Sequence, residues 1–307
     1  MQIQQGSLAF PSFRDAGPQI AEQALNFVRP VRSVAALLAG FDVQFVDDDH
    51  HLHLLQIDLR ARNVSGQSVE VTGEMGLRDR SGQWDDRYAG AVRYVLVGAD
   101  AQEEILGGTL SFPSQAGNGP RAVNETVRFA SEFQHATAGL TGFVTRFSNS
   151  DHHLLQLEVD LQSQIPAADQ LQVSGIYGLR DSSGNWDDSY DGTIRYAGLG
   201  TVPQGEPASQ IRTGRIDFAP QAGAGPREGT AAVSFSRPVG NCVAVLTGLF
   251  VGFDRNDHHF HRAIVEVEAR KLSDRDVEVV ARLGLRDLSG DWDDAYRGSV
   301  RFAVLGE

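Results

Sequence analysis

A single cysteine, Cys242, stands among 307 residues, so no disulfide can form within the chain and the fold is left to burial and hydrogen bonding. This suits a reducing compartment, or a fold that needs no covalent staple; Cys242 itself, between Asn241 and Val243, reads as a small core residue. No apolar run approaches the ~20 residues that a membrane helix needs, which excludes membrane insertion of that kind. Basic residues are also scarce: 27 Lys and Arg against 40 Asp and Glu give a formal charge of −13. No basic cluster interrupts it, so nucleic acid is excluded as a partner. The opening Met1 to Gly6 has neither the basic residues nor the apolar stretch of a secretion signal, and the expectation is a cytoplasmic protein or one released without such a signal. Helical periodicity is missing as well. What remains, 41% hydrophobic and 22% charged residues, is the composition of a globular protein.

The chain repeats itself. Gly178-Leu179-Arg180-Asp181-Ser182-Ser183-Gly184-Asn185-Trp186-Asp187-Asp188 has close copies from Gly76 to Asp86 and from Gly284 to Asp294, and all three tryptophans, Trp84, Trp186 and Trp292, fall at one place in them. Asp49-His50-His51, Asp151-His152-His153 and Asp257-His258-His259 each lie 27 residues before the motif glycine. These two in-phase markers divide the chain into three units, 1–98, 108–199 and 214–307.

Within a unit, the pattern predicts strands. Each opens with a glycine and a short alternating segment suited to an edge strand, Gly6 to Phe10, Gly108 to Phe112 and Gly214 to Phe218. A Gly-Pro break follows, and Phe27, Phe129 and Phe235 are expected to begin the next strand. Apolar runs ending at Gly40, Gly142 and Gly248 predict buried strands. After the Asp-His-His segment, His51, His53, Leu55, Ile57 and Leu59 share one parity and face the core, as do His153, Leu155, Leu157, Val159 and Leu161, whereas Asp58 and Asp160 take the outward parity. His50, His152 and His258 also fall on the outer parity. Val69 to Met75 and the segment carrying Tyr88, Val92, Tyr94 and Leu96 read as a hairpin closed by the signature loop. Val97 to Gly107 and Leu199 to Thr213, the latter with Pro203, Gly205 and Pro207, read as linkers. About six strands per unit make the fold class all-β, with three tandem antiparallel β-sandwiches.

Two motifs carry chemistry. The signature loop sets oxygens at alternate positions, Asp181, Ser183, Asn185 and Asp187, and Asp287, Ser289, Asp291 and Asp293 in the third copy, a spacing that suits calcium. The competing reading is an Asx-turn at the aspartate, with the tryptophan packed as a lid over the end of the sandwich. Asp-His-His offers zinc ligands. Adjacent strand residues point to opposite faces, however, so one ion does not collect both histidines, and a hydrogen-bonded pair closing the loop competes. No metal or other cofactor is assigned, with calcium kept open.

The order of landmarks resembles the H-type lectin family. The matching residues are Gly108-Thr109-Leu110, Phe27 to Val31 and Phe235 to Val239, Leu246-Thr247-Gly248-Leu249, Asn63-Val64-Ser65 and Trp84-Asp85-Asp86-x-Tyr88. That resemblance implies six-stranded sandwiches, three of them packed as an intramolecular pseudo-trimer in a monomeric chain, and binding of glycans of the galactose or N-acetylgalactosamine type. The family's sugar-contacting arginine corresponds to a place near Gln56, Glu158 and Ile264, none of them arginine. The residues assigned to ligand binding are His50, Trp84, Asp86 and Tyr88 in the first unit, His152, Trp186, Asp188 and Tyr190 in the second, and His258, Trp292, Asp294 and Tyr296 in the third. No nucleophile with its base and no singular carboxylate pair is marked out, so the expectation is a binding protein and not an enzyme. The alternative is a structural or adaptor block of a larger assembly, such as a tail or surface apparatus.

Overall fold

Alternation of apolar and polar residues gives each unit six strands, and the chain is all-β, with no helix among the described residues. The computed structural model describes residues 1–13, 17–80, 84–99, 103–117, 119–183, 186–201, 209–223, 225–289 and 292–307. Unit one holds β1 (Gln2–Phe13), β2 (Gln19–Asn26), β3 (Ser33–Phe45), β4 (Leu54–Ser65), β5 (Ser68–Arg78) and β6 (Tyr88–Ala99). Unit two holds β7 (Glu103–Gln115), β8 (Arg121–Arg128), β9 (His135–Phe147), β10 (Gln156–Ala167), β11 (Gln170–Arg180) and β12 (Tyr190–Thr201). Unit three holds β13 (Gln210–Gln221), β14 (Arg227–Ser234), β15 (Cys242–Phe253), β16 (Arg262–Lys271), β17 (Asp276–Arg286) and β18 (Tyr296–Gly306).

These strands form three antiparallel six-stranded sheets, ordered β1-β6-β3-β16-β17-β14, β13-β18-β15-β10-β11-β8 and β2-β5-β4-β9-β12-β7. Each unit therefore divides three and three between two sheets, which face one another across its core. A methyl group added at Gly73 on β5 would run into Leu8 and Phe10 of β1. Each half-sheet is continued by half a sheet from a different unit: β3 pairs with β16, β15 with β10, and β9 with β4. The three pairings close a cycle, unit one to three, three to two, and two to one.

Gly40, Gly142 and Gly248 make these junctions possible. Each follows a one-residue bulge in the pairing of its strand with β6, β12 or β18. A Cβ at Gly40 would sit 2.7 Å from Glu266 Cα, and one at Gly142 would sit 2.7 Å from Asp58 Cα, so only glycine lets the two backbones approach. The apolar runs before these glycines do not alternate because both faces are covered. Ala36 and Leu38 enter the sandwich core, which is continuous through all three units, while Ala35, Leu37 and Ala39 join Val95, Val97, Leu199, Val243, Val245 and Leu305 in a second cluster built from all three units.

Four expectations are corrected. The signature loop does not close a hairpin, since β5 pairs with β2 and β4 whereas β6 pairs with β1 and β3; the loop crosses from one layer of the sandwich to the other. Phe27, Phe129 and Phe235 follow β2, β8 and β14 instead of opening them, because those strands alternate half-buried with exposed residues and bury few large apolar groups. The described residues of the linkers are almost all strand: Ile105 pairs with Leu199 and Leu106 with Gly198, and the Ile105 and Leu106 side chains pack on core clusters. Pro203, Gly205 and Pro207 lie outside the described residues. Asp58 and Asp160, assigned outward, are buried, because the neighbouring unit covers that face.

Candidate functional site

The Asp-His-His segments lie just before β4, β10 and the start of β16, and they meet at one end of the molecule. Isolated bridges join His50 to Phe260, Leu52 to His152 and Leu154 to His258. Each is a reciprocal pair of main-chain hydrogen bonds, for example Leu52 N to His152 O at 2.8 Å and His152 N to Leu52 O at 3.1 Å. Every segment is thereby tied to both others, over a plug of Leu52, Leu154 and Phe260 that excludes water. The backbone triangle sends the first histidine of each segment outward and the second to the centre.

The outward histidines each enter a cluster with two aspartates, one from each end of the signature loop. His152 has Nδ1 3.1 Å from Asp181 and Nε2 3.3 Å from Asp188. His258 Nδ1 lies 3.2 Å from Asp287 and 3.4 Å from Asp294, and His50 lies 3.4 Å from Asp79 and 3.7 Å from Asp86. Each imidazole packs on a core phenylalanine, Phe45, Phe147 or Phe253, with ring centroids 4.5 to 4.7 Å apart. The first aspartate is the turn-former. Asp181 accepts from Ser183 N at 2.9 Å and Ser183 Oγ at 2.7 Å, and Asp287 accepts likewise from Ser289 at 2.9 and 2.6 Å. These are Asx-turns, and the calcium-like positions Asn185 and Asp291 lie outside the described residues.

In the second and third clusters the two carboxyl groups are driven apart in acidity. Burial raises the pKa of Asp181 and Asp287, but the Ser183 and Ser289 hydroxyls and amides outweigh it, so both are held below the ordinary carboxylate range. Burial raises Asp188 and Asp294. Asp86 is pushed up to about 6, first by burial, then by its hydrogen bond to Asp79 and the charges of Asp79 and Asp85, with His50 opposing.

The tryptophans of the signature loop pack against the core of each sandwich. Trp84, Trp186 and Trp292 have φ of 67°, 64° and 65°, a left-handed backbone that a bulky residue rarely adopts. Their rings press on Gly76, Gly178 and Gly284, where a Cβ would fall 2.8 to 2.9 Å from the indole edge. Arg78, Arg180 and Arg286 lie over them at 5.1 to 5.5 Å. Tyr88, Tyr190 and Tyr296 are buried beneath. Tyr88 donates to Gly17 O at 2.6 Å, so the tyrosines support the site from the core and present no face to a ligand, a correction to their assigned role.

The structure thus brings His50 and Asp86 together, with their counterparts in the other units, and adds Asp79, Asp181 and Asp287, which sequence reasoning left in the turn; each tryptophan packs instead on the glycine and arginine of the preceding strand. At the centre it adds His51, His153 and His259, with ring centroids 4.4 to 4.7 Å apart. The His153 imidazole is held below its ordinary pKa by burial, then by the neighbouring His259 and His51. A third feature lies between units, where three equivalent clefts of about 310, 350 and 500 Å³ run beside Arg93, Arg195 and Arg301. These arginines pair across the junctions with Glu266, Asp58 and Asp160. The available signal was an arginine at one place in three copies of an otherwise apolar strand: Val92-Arg93-Tyr94, Ile194-Arg195-Tyr196 and Val300-Arg301-Phe302. No protein-family model matches this chain, and no curated protein matches it.

Proposed function

We propose that the chain is a carbohydrate-binding protein with three equivalent sites, each formed by a His/Asp/Asp cluster and the edge of its tryptophan. The observation that carries this reading is the recurrence, three times at one end of the molecule, of a preset cluster of one imidazole and two carboxylates, with a tryptophan two residues before the second carboxylate in each. Sugar hydroxyls are donors in search of such acceptors, and ionised acceptors give the stronger hydrogen bonds. The resemblance to H-type lectins points to glycans of the galactose or N-acetylgalactosamine type. Hydrolysis is disfavoured by the same geometry: in a cluster the histidine and carboxyl ligand atoms all lie within 4.8 Å of one another, and Asp79 hydrogen-bonds Asp86. A glycosidic bond needs carboxyl groups roughly 5 to 9 Å apart on either side of it.

Screening the whole protein on a glycan array tests the proposal. Binding should appear, and it should weaken at least tenfold when Asp79, Asp181 and Asp287 are replaced together by Asn, a change that keeps the turn because Asn caps almost as well as Asp. No glycan bound, or binding indifferent to the triple replacement, sinks it. The second reading, a non-catalytic structural block, is favoured by the cyclic strand pairing that ties the units together, and capture of a protein partner with an empty array would put it ahead.

A further inference from the structure

The central histidines do something the three peripheral clusters do not: they combine one side chain from each unit with no carboxylate among the converging atoms. His51, His153 and His259 each offer one ring nitrogen, and these nitrogens lie within 4.8 Å of one another. Each ring also has a carboxylate from the next unit around the cycle beside its Nδ1. Asp151 lies 3.7 Å from His51 Nδ1, Asp257 lies 3.8 Å from His153 Nδ1, and Asp49 lies 3.2 Å from His259 Nδ1. Two of these aspartates are fixed in turn by the loop of the unit they reach, Asp257 accepting from Ser182 Oγ at 2.7 Å and Asp49 from Leu288 N at 3.2 Å.

A carboxylate at Nδ1 favours a proton there and leaves Nε2 with its lone pair, as in imidazoles that ligate a metal; Asp49 makes that hydrogen bond to His259 at 3.2 Å, while Asp151 and Asp257 stand 3.7 and 3.8 Å from His51 and His153, near enough to close on them when a metal binds. Three such nitrogens are what a zinc-class ion takes. Zinc–nitrogen bonds of about 2.0 to 2.1 Å in tetrahedral geometry place the three donors about 3.4 Å apart, a contraction that small ring rotations supply. The side chains are 41%, 37% and 40% exposed, so an ion can enter from solvent and keep a fourth position open to it. We propose that His51, His153 and His259 bind one transition-metal ion of the zinc class, held in common by the three units. An all-imidazole donor set selects against calcium and magnesium, which take oxygen. Edge-to-face packing of three rings, at interplanar angles of 68° to 82°, accounts for their contact but not for a carboxylate beside Nδ1 of every ring, each from the next unit. The site does not depend on the carbohydrate reading.

The test uses the full chain after treatment with chelator, titrated with zinc chloride by calorimetry and with cobalt chloride by visible absorption. One equivalent should bind, cobalt should give the intense absorption of a tetrahedral site, and zinc should raise the melting temperature. His153→Ala should abolish binding, with circular dichroism confirming that the variant folds. Asp257→Asn, which keeps all three ligands, should weaken it ten- to a hundredfold. His135→Ala, remote from the centre, should change nothing. Absence of zinc binding by the unaltered chain, or equal affinity in His153→Ala, overturns the proposal. So does a stoichiometry of three ions lost only when Asp79, Asp181 and Asp287 are replaced.

Discussion

Arg301 of the third unit places Nε 3.3 Å from the Oδ1 of Asp160 in the second, a carboxylate only 4% exposed. The contact spans the junction between β10 and β15. Burial pushes the Asp160 carboxyl up, and Arg301 is the strongest influence drawing it back. Arg301→Ala should therefore leave a buried charge uncompensated and cost roughly 3 kcal/mol. Urea denaturation checks this, and adding Asp160→Ala should recover part of the loss, because the orphaned charge goes with it.

Gly142→Ala is a second test of the junctions. The new Cβ would meet backbone of β4, 2.7 Å from Asp58 Cα, with no flexible side chain to give way. Destabilisation of about 2 to 3 kcal/mol is expected. Faster amide exchange from Gln56 to Asp58, measured by mass spectrometry, should accompany it if the β4–β9 pairing opens.

The pH dependence of stability should carry the signature of Asp86. Its carboxyl, at about 6 in the fold, sits above the unfolded value of about 3.9, so the folded state binds this proton more tightly than the unfolded chain does. The group destabilises the fold fully above pH 6, and the penalty fades as pH falls from 6 towards 4. Asp86→Asn should melt higher than the unaltered protein at pH 7.5, and the gap should close by pH 4.5. Calorimetric melts across that range decide it; a gap constant with pH would contradict the raised carboxyl.

Trp186→Gly separates a packed lid from a free platform. Glycine relieves the left-handed backbone, worth roughly 1 to 2 kcal/mol, yet loss of a packed indole costs roughly 3 to 5 kcal/mol. Net destabilisation in a chemical melt is expected. A stabilised variant would mean that the ring contributes nothing to closing the sandwich.

How much of this the sequence disclosed depended on whether a residue's partner lay within its own unit. The strands that begin at Ser33, His135 and Cys242 were legible because their apolar runs are long and carry a glycine at one place in all three copies. The His50/Asp86 pairing was legible because two motifs recur in phase. Asp58 and Asp160 misled, since an aspartate between apolar residues reads as solvent-facing until the arginine of another unit is seen to cover it. The crossing of the signature loop was hidden for a related reason: two strands joined by a short polar turn look like a hairpin, and only their pairing in different sheets shows that the turn spans two layers. Adjacent histidines were rightly separated by strand parity, but parity within one unit is silent about three rings arriving from three units.

The pairing of β3 with β16 sets an order of events during synthesis. The edge of β3 is complete some 220 residues before its partner exists, a wait of roughly ten to forty seconds at about 5 to 20 residues per second. In that interval β10, which takes the equivalent place at another junction, has already been made. What distinguishes the true partner is a charge: Arg262 reaches Asp42 with two hydrogen bonds, at 2.8 and 2.5 Å. The corresponding places hold Leu54 and Gln156 on the other incoming strands, and Val144 and Phe250 on the other receiving strands. This ion pair, set at one junction of three, matches β16 to β3 by charge as well as by shape, a match that neither of the other incoming strands would make there.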